Sequence, residues 1–232
     1  MLPQRRGPQY ALDMTDTTST CPRCEKPLAI CICDRVEPVE TRLRVVVLQH
    51  PQEDDAILGT VKLVTLTLPN AEIRVGLSWA SLDHALGTKG ANRERWAVLA
   101  AAKLPAELPD EVKGQPVVLV DRNGRVRELD RHGLDGVIVL DGTWSQAKTL
   151  WWRNAWLLKL PRIVLTPREP SMYGRMRKEP RRDYVSTLEA VADVLPALGE
   201  PEQVRDNLRR LLRTLLQRVR DAAPGERPSS SA

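Results

Sequence analysis

Two rhythms of apolar residues alternate along this chain. The first is a series of short, β-branched or aliphatic runs: Leu43 to Leu48, Ala71 to Val75, Ala97 to Ala101, Pro116 to Val120, Gly136 to Leu140 and Arg162 to Leu165. Runs of this length bounded by turn residues predict strands, and the β-branched ones predict strands covered on both faces. The second rhythm is helical. Ile57 to Leu68 and Ser145 to Trp156 have helix-compatible spacing, and Glu202 to Val219 puts Val204, Leu208, Leu211, Leu212, Leu215 and Val219 on one stripe of an amphipathic C-terminal helix. Arg125 to Leu129 follows Asp121-Arg-Asn-Gly124 as the second arm of a hairpin that turns at Asn123-Gly124. Strands alternating with helices predict an α/β fold on a mostly parallel sheet.

Composition adds boundaries to this pattern. A chain of 232 residues with 42% hydrophobic content can bury a substantial core. Residues 1–20 are polar and Thr/Ser-rich and are expected to be a disordered extension, with Met14 an alternative start. Residues 21–40 hold a cysteine knuckle, 41–220 the α/β body, and 221–232 a Pro/Ser/Gly tail expected to be disordered. The longest apolar runs fall far short of the roughly 18 residues of a membrane span, so no membrane segment is expected and a cytoplasmic address follows. Lys and Arg outnumber Asp and Glu by 35 to 30, a net +5 that suits a polyanionic partner without requiring one. The arginines at 205, 209, 210, 213, 218 and 220 cover the far face of the tail helix and read as a solvated surface.

All four cysteines lie in thirteen residues, as Cys21-Pro-Arg-Cys24 and Cys31-Ile-Cys33. Four thiolates suit one closed, structural tetrahedral zinc site. Two disulfides or four unligated thiols are the alternatives left by the residues alone. Three polar clusters fall at predicted carboxyl ends of strands, where open α/β sheets form their crevice. They are Gln49-His50-Pro51-Gln52-Glu53, Asp141-Gly142-Thr143-Trp144, and the stretch from Thr166 to Glu189 that contains Tyr173, Arg175, Arg177, Lys178, Arg181, Arg182 and Ser186-Thr187-Leu188-Glu189. Each has a plainer reading. Asp141 can be the N-cap of the next helix, His50 a turn residue, and the basic cluster a solvated loop rather than a phosphate site. Trp144, Trp151 and Trp152 can stack on a base or pack in the core.

The knuckle, Leu48-Gln-His-Pro-x-Glu53, Leu140-Asp-Gly-Thr-Trp144 and Ser186-Thr-Leu-Glu-Ala190 occur together and in this order. The combination resembles the DTW-domain family of tRNA-uridine aminocarboxypropyltransferases over residues 21 to about 195. The resemblance implies a SPOUT-like fold with a trefoil knot, S-adenosylmethionine as co-substrate, and tRNA as the partner that receives an aminocarboxypropyl group on uridine N3. By that likeness Asp141 is the catalytic base or orienter. Leu140, Gly142, Thr143, Trp144, Tyr173, Ser186, Thr187, Glu189 and Ala190 hold the co-substrate, Glu189 pairing with its ammonium. His50, Glu53, Arg175, Arg177, Arg181 and Arg182 meet the tRNA. The segment 103–132 departs from the family's more compact path. A SPOUT-type RNA methyltransferase and a non-enzymatic zinc-containing RNA-binding adaptor are the alternative functions.

Overall fold

The apolar runs become the strands of one seven-stranded sheet. The structure, a computed structural model, describes residues 19–55, 57–100, 112, 114–127, 133–166, 169–174, 176 and 185–222. In chain order the elements are β1 (Arg44–Gln49), α1 (Val61–Thr67), β2 (Ala71–Val75), α2 (Leu82–Leu86), β3 (Trp96–Ala100), β4 (Val117–Val120), β5 (Val126–Arg127), β6 (Gly136–Asp141), α3 (Trp144–Arg153), β7 (Arg162–Leu165), α4 (Thr187–Ala197) and α5 (Gln203–Ala222). The sheet runs β2-β1-β6-β3-β7-β4-β5. The five strands from β2 to β7 pair parallel, whereas β4 pairs antiparallel with β7 and β5 antiparallel with β4, so the sheet is mixed.

Side chains alternate across a strand, and the two faces bury different partners. Val45 and Val47 of β1, Ala97 of β3, Val137 and Val139 of β6 and Ile163 of β7 face the larger core, with α1, α4, α5 and the knuckle residues Ile30 and Ile32. Val46, Leu48, Trp96, Val98 and Ile138 face a smaller core under α2 and the turn after α3. The C-terminal helix is half buried along its length: Val204, Leu208, Leu211, Leu212, Leu215, Leu216 and Val219 enter the larger core. Its arginines are not simply solvated. Arg209 and Arg205 reach Asp193 of α4, Arg210 reaches Glu37 and Arg218 reaches Asp34, pairs that orient the helix although exposed ion pairs add little stability.

Several expected boundaries move for local reasons. The helix expected from Ile57 begins only at Val61, because Asp55 captures the Leu58 N–H with its carboxylate (2.7 Å) and the Gly59 N–H with its carbonyl (2.8 Å). The helix expected to reach Trp156 ends at Arg153. Buried Asn154 breaks it by donating to the carbonyls of Leu77 (3.1 Å) and Leu150 (2.8 Å) and accepting from the Trp79 N–H (2.8 Å). The hairpin turns through Asp121–Arg125, with the Asp121 carboxylate accepting the N–H groups of Asn123 and Arg125 at 2.8 Å each, instead of through a two-residue Asn-Gly turn. Glu128 and Leu129 of its second arm, Ala101 of the third strand, and most of the 103–132 segment lie outside the described residues. So do residues 1–18 and 223–232, and part of the path between β7 and α4 on which the expected knot depends.

One buried carboxylate closes the start of β1. Glu200, in the loop between α4 and α5, accepts the backbone N–H of Arg42 at 3.0 Å and of Leu43 at 2.9 Å, one on each oxygen. Removing it strands the buried Leu43 donor and frees the more exposed Arg42 donor, so Glu200→Ala is expected to lower stability by roughly 1–3 kcal/mol and Glu200→Gln by about half as much. A urea midpoint for the Ala variant equal to wild type would exclude this anchoring role.

Candidate functional site

The site forms where β1 and β6 end side by side. Connections from these neighbours leave on opposite faces: the β1–β2 crossover carries α1 into the larger core, and the β6–β7 crossover carries α3 toward the smaller one. Such a switch point opens a crevice at the carboxyl edge. The parallel register sets Gln49 opposite Asp141. Because Asp141 shares the parity of Val137 and Val139, its side chain belongs to the face that α4 covers.

Asp141 is buried, and its carboxylate joins three parts of the chain. Oδ2 accepts from Gln49 Nε2 at 3.0 Å and Oδ1 accepts from the Thr187 hydroxyl, the first residue of α4, at 2.6 Å. The Asp141 carbonyl accepts the His50 N–H at 3.0 Å, extending the ladder one residue beyond β1. Asp141 is therefore the last residue of β6 and not a helix cap. The cap is Thr143, whose Oγ1 accepts the Gln146 N–H (3.4 Å) while Gln146 Oε1 accepts the Thr143 N–H (2.6 Å), a reciprocal capping box. Gln146 Nε2 also donates to the Gln52 carbonyl at 3.1 Å, tying the loop after β1 to the start of α3. Gly142 between them has φ +143, and a Cβ there would stand 2.9 Å from Gln146 and 3.4 Å from the His50 side chain, so only glycine fits.

Several residues expected to hold ligands are engaged by the protein. Buried Glu189 accepts four donors: the N–H (2.9 Å) and hydroxyl (2.8 Å) of Ser186, the Ser171 hydroxyl (2.9 Å) and the Met172 N–H (2.7 Å). A ligand ammonium would compete with the bonds by which Glu189 and Ser186 cap α4 and hold the turn at 171–173. Tyr173 is fully buried and donates its hydroxyl to the Leu58 carbonyl at 2.6 Å. Ala190 is buried, and Leu140 sits half-buried against the smaller core. His50 is buried with Nδ1 accepting the Gln52 N–H at 3.1 Å, and Glu53 donates its backbone N–H to the His50 carbonyl at 2.9 Å. Thr143 and Trp144, which follow Asp141 closely in the chain, are exposed. Arg175, Arg177, Lys178, Arg181 and Arg182 lie outside the described residues.

The four cysteines converge. Their Sγ atoms all lie within 4.8 Å of one another, with Cys21–Cys33 and Cys24–Cys31 each at 3.7 Å. A cation with sulfur ligands at about 2.3 Å sets tetrahedral neighbours about 3.8 Å apart, whereas a disulfide needs about 2.05 Å. The cysteines are unpaired and arranged as a cluster that can chelate a metal, which removes the disulfide alternative. Backbone N–H groups of Cys24 and Arg23 bring the Cys21 thiol down to about 6, while burial pushes Cys31 and Cys33 up. The chain folds tightly enough at the knuckle to hold Glu25 at φ +59. Next to it Lys26, with its pKa pulled down to about 8 by burial, donates to the carbonyls of Ile57 (2.9 Å) and Gly59 (2.6 Å). With Tyr173 on Leu58, three successive carbonyls of one loop are each gripped by a distant side chain.

Gln146 and Lys26 were not singled out by motif reasoning, and Gln49 entered only as part of the strand-end segment, with no role of its own. The Thr143-x-x-Gln146 spacing is a readable capping signature, and Gln49 adjoins His50, but nothing local marks a buried lysine.

The DTW domain matches residues 18–220. Named relatives are the tRNA-uridine aminocarboxypropyltransferase 2 of Macaca fascicularis, 26% identical over 84% of this chain and 61% of that protein, and of Drosophila melanogaster, 27% identical over 88% and 76%. The tRNA-uridine aminocarboxypropyltransferase A of Arabidopsis thaliana is 26% identical over 86% of this chain and 79% of its own length. The chain thus spans about three fifths of the macaque relative. No solved structure matches it. Among the described residues no helix is long and apolar enough to cross a membrane. With a domain match over nearly its whole length and the cysteine cluster, strand-end aspartate and Ser-Thr-Leu-Glu cap in one fold, the chain belongs to the DTW-domain family.

Proposed function

We propose that this protein transfers the 3-amino-3-carboxypropyl group of S-adenosylmethionine to N3 of a uridine in tRNA. The observation that carries the reading is Asp141, a buried carboxylate oriented from two sides by Gln49 and Thr187 at the mouth of the β1–β6 crevice. The family relationship and the tRNA-directed names of the relatives support the substrate class.

A sulfonium makes each attached carbon electrophilic, so the enzyme selects its product by the carbon it aligns with the nucleophile. In this reading uridine N3 forms a bond to the side-chain carbon as the C–S bond breaks. The electron pair passes to sulfur, and methylthioadenosine leaves. The N3 proton is taken by Asp141, whose hydrogen bonds fix its orientation, and passes to solvent. The corner from the end of β6 to the start of α3, Leu140, Gly142, Thr143 and Trp144, receives the co-substrate, with Thr187 held at Asp141, and Arg175, Arg177, Arg181 and Arg182 approach the tRNA. The cysteine cluster takes zinc, a closed four-sulfur site with no open position for chemistry.

Asp141→Asn keeps an acceptor for Thr187 and so is expected to cost only about 1 kcal/mol of stability. Its single-turnover rate of methylthioadenosine release with unmodified tRNA is expected to fall about 100-fold or more. A near wild-type rate would remove Asp141 from the chemistry, and S-adenosylhomocysteine as the by-product would establish methyl transfer instead.

Protein purified without added metal is expected to carry one zinc per chain, and Cys24→Ser to lose most of it and to melt at lower temperature. Elemental analysis finding under half an equivalent, with no uptake from added zinc, would sink the assignment.

A further inference from the structure

The outer face of α3 carries an exposed aromatic ring and a cation, Trp152 and Lys148, that the transfer step does not use and that continue the line begun by Trp144. Trp144, Lys148 and Trp152 stand at i, i+4 and i+8, one above another along a single stripe. All three are exposed, Trp144 at 45% and Trp152 at 68%. Trp151 and Trp156, by contrast, pack against the smaller core. Core packing therefore accounts for those two and leaves Trp152 and Lys148 unexplained.

Charge identifies what the stripe suits. Helix α3 contains no Asp or Glu, and Lys148 and Arg153 enter no ion pair among the described residues; exposed Lys159 follows on the next turn. Two copies of this face would bring like charges together, which opposes self-association. Aromatic rings alternating with a cation suit unpaired nucleotides, whose bases stack on the rings while phosphates meet the cations. The stripe also begins beside the proposed site, since Trp144 lies three residues after Asp141, and it extends about 12 Å along the helix axis, a span of a few nucleotides.

We infer that the Trp144–Lys148–Trp152 face of α3 is a platform for single-stranded RNA, stacking the unpaired bases that flank the reacting uridine and holding an intervening phosphate at Lys148. The inference rests on the proposal that tRNA is the substrate.

The test titrates a labelled mixture of unmodified tRNA transcripts, and separately a labelled oligouridylate, with wild type, Trp152→Ala, Trp152→Phe and Lys148→Ala, following anisotropy at several salt concentrations. Trp152 is largely solvent-exposed, so its variants are expected to keep the wild-type melting temperature. Trp152→Ala is expected to raise Kd for both RNAs about tenfold or more without altering the salt slope, and Trp152→Phe to recover most of the loss. Lys148→Ala is expected to flatten the slope by about one phosphate contact. If wild type binds and modifies tRNA while Trp152→Ala binds it equally well, the platform is overturned and the transfer reaction stands. If wild type binds neither RNA, both are overturned. A wild-type dimer dissolved by Trp152→Ala, with RNA affinity unchanged, assigns the face to a second copy and overturns the platform.

Discussion

The candidate site depends on the register between β1 and β6. Parallel pairing aligns Val45 with Val137, Val47 with Val139 and, at the end of the row, Gln49 with Asp141. The valines face the core that α4 covers, so the two polar residues emerge on the same side and within hydrogen-bond reach. A slip of one residue would turn the carboxylate toward the opposite face, away from Thr187. The register that buries the valines is thus the register that builds the polar junction, and packing and site geometry stand or fall together.

Around that junction, much of the polarity of the third segment serves position. Glu189 spends its carboxylate on the N-terminus of α4 and on the turn at 171–173, which in turn fixes Tyr173. Tyr173 grips Leu58, while Lys26 from the cysteine knuckle grips Ile57 and Gly59. Buried donors and acceptors are costly when unpaired, so each of these bonds holds its partner firmly. The knuckle is thereby connected to the α4 cap that presents Thr187 to Asp141, through a loop with no regular secondary structure. A metal that orders the knuckle acts on the same chain of contacts that frames the site, without approaching the reacting atoms.

Helix α3 divides its tryptophans between two tasks. Trp151 turns toward the smaller core, and Trp144 and Trp152 remain exposed on a stripe with Lys148. Asn154 makes this division possible, because it stops the helix and sends Trp156 and Leu157 back into the core. Had the helix run on through Trp156, as its spacing suggests, those side chains would continue along its surface.

By itself the sequence determined the elements whose cause is local. The β-branched runs marked β1, β4, β6 and β7 because such residues fit a pleated, covered surface, and the leucine stripe marked α5 because its period matches a helix. Close cysteine spacing marked a cluster of four sulfurs, and strand ends marked Gln49-His50 and Asp141 as neighbours of a crevice. Only the tertiary structure decided the rest. Whether Asp141 capped a helix or met partners depended on Gln49 and Thr187, which lie 92 and 46 positions away. Whether Glu189 was available to a ligand depended on Ser171 and Met172, and whether a tryptophan was core or surface depended on where α3 stopped. Periodicity reports which face of its own element a residue occupies; what stands opposite that face is set by register and by the packing of distant segments, and those are properties of the whole chain.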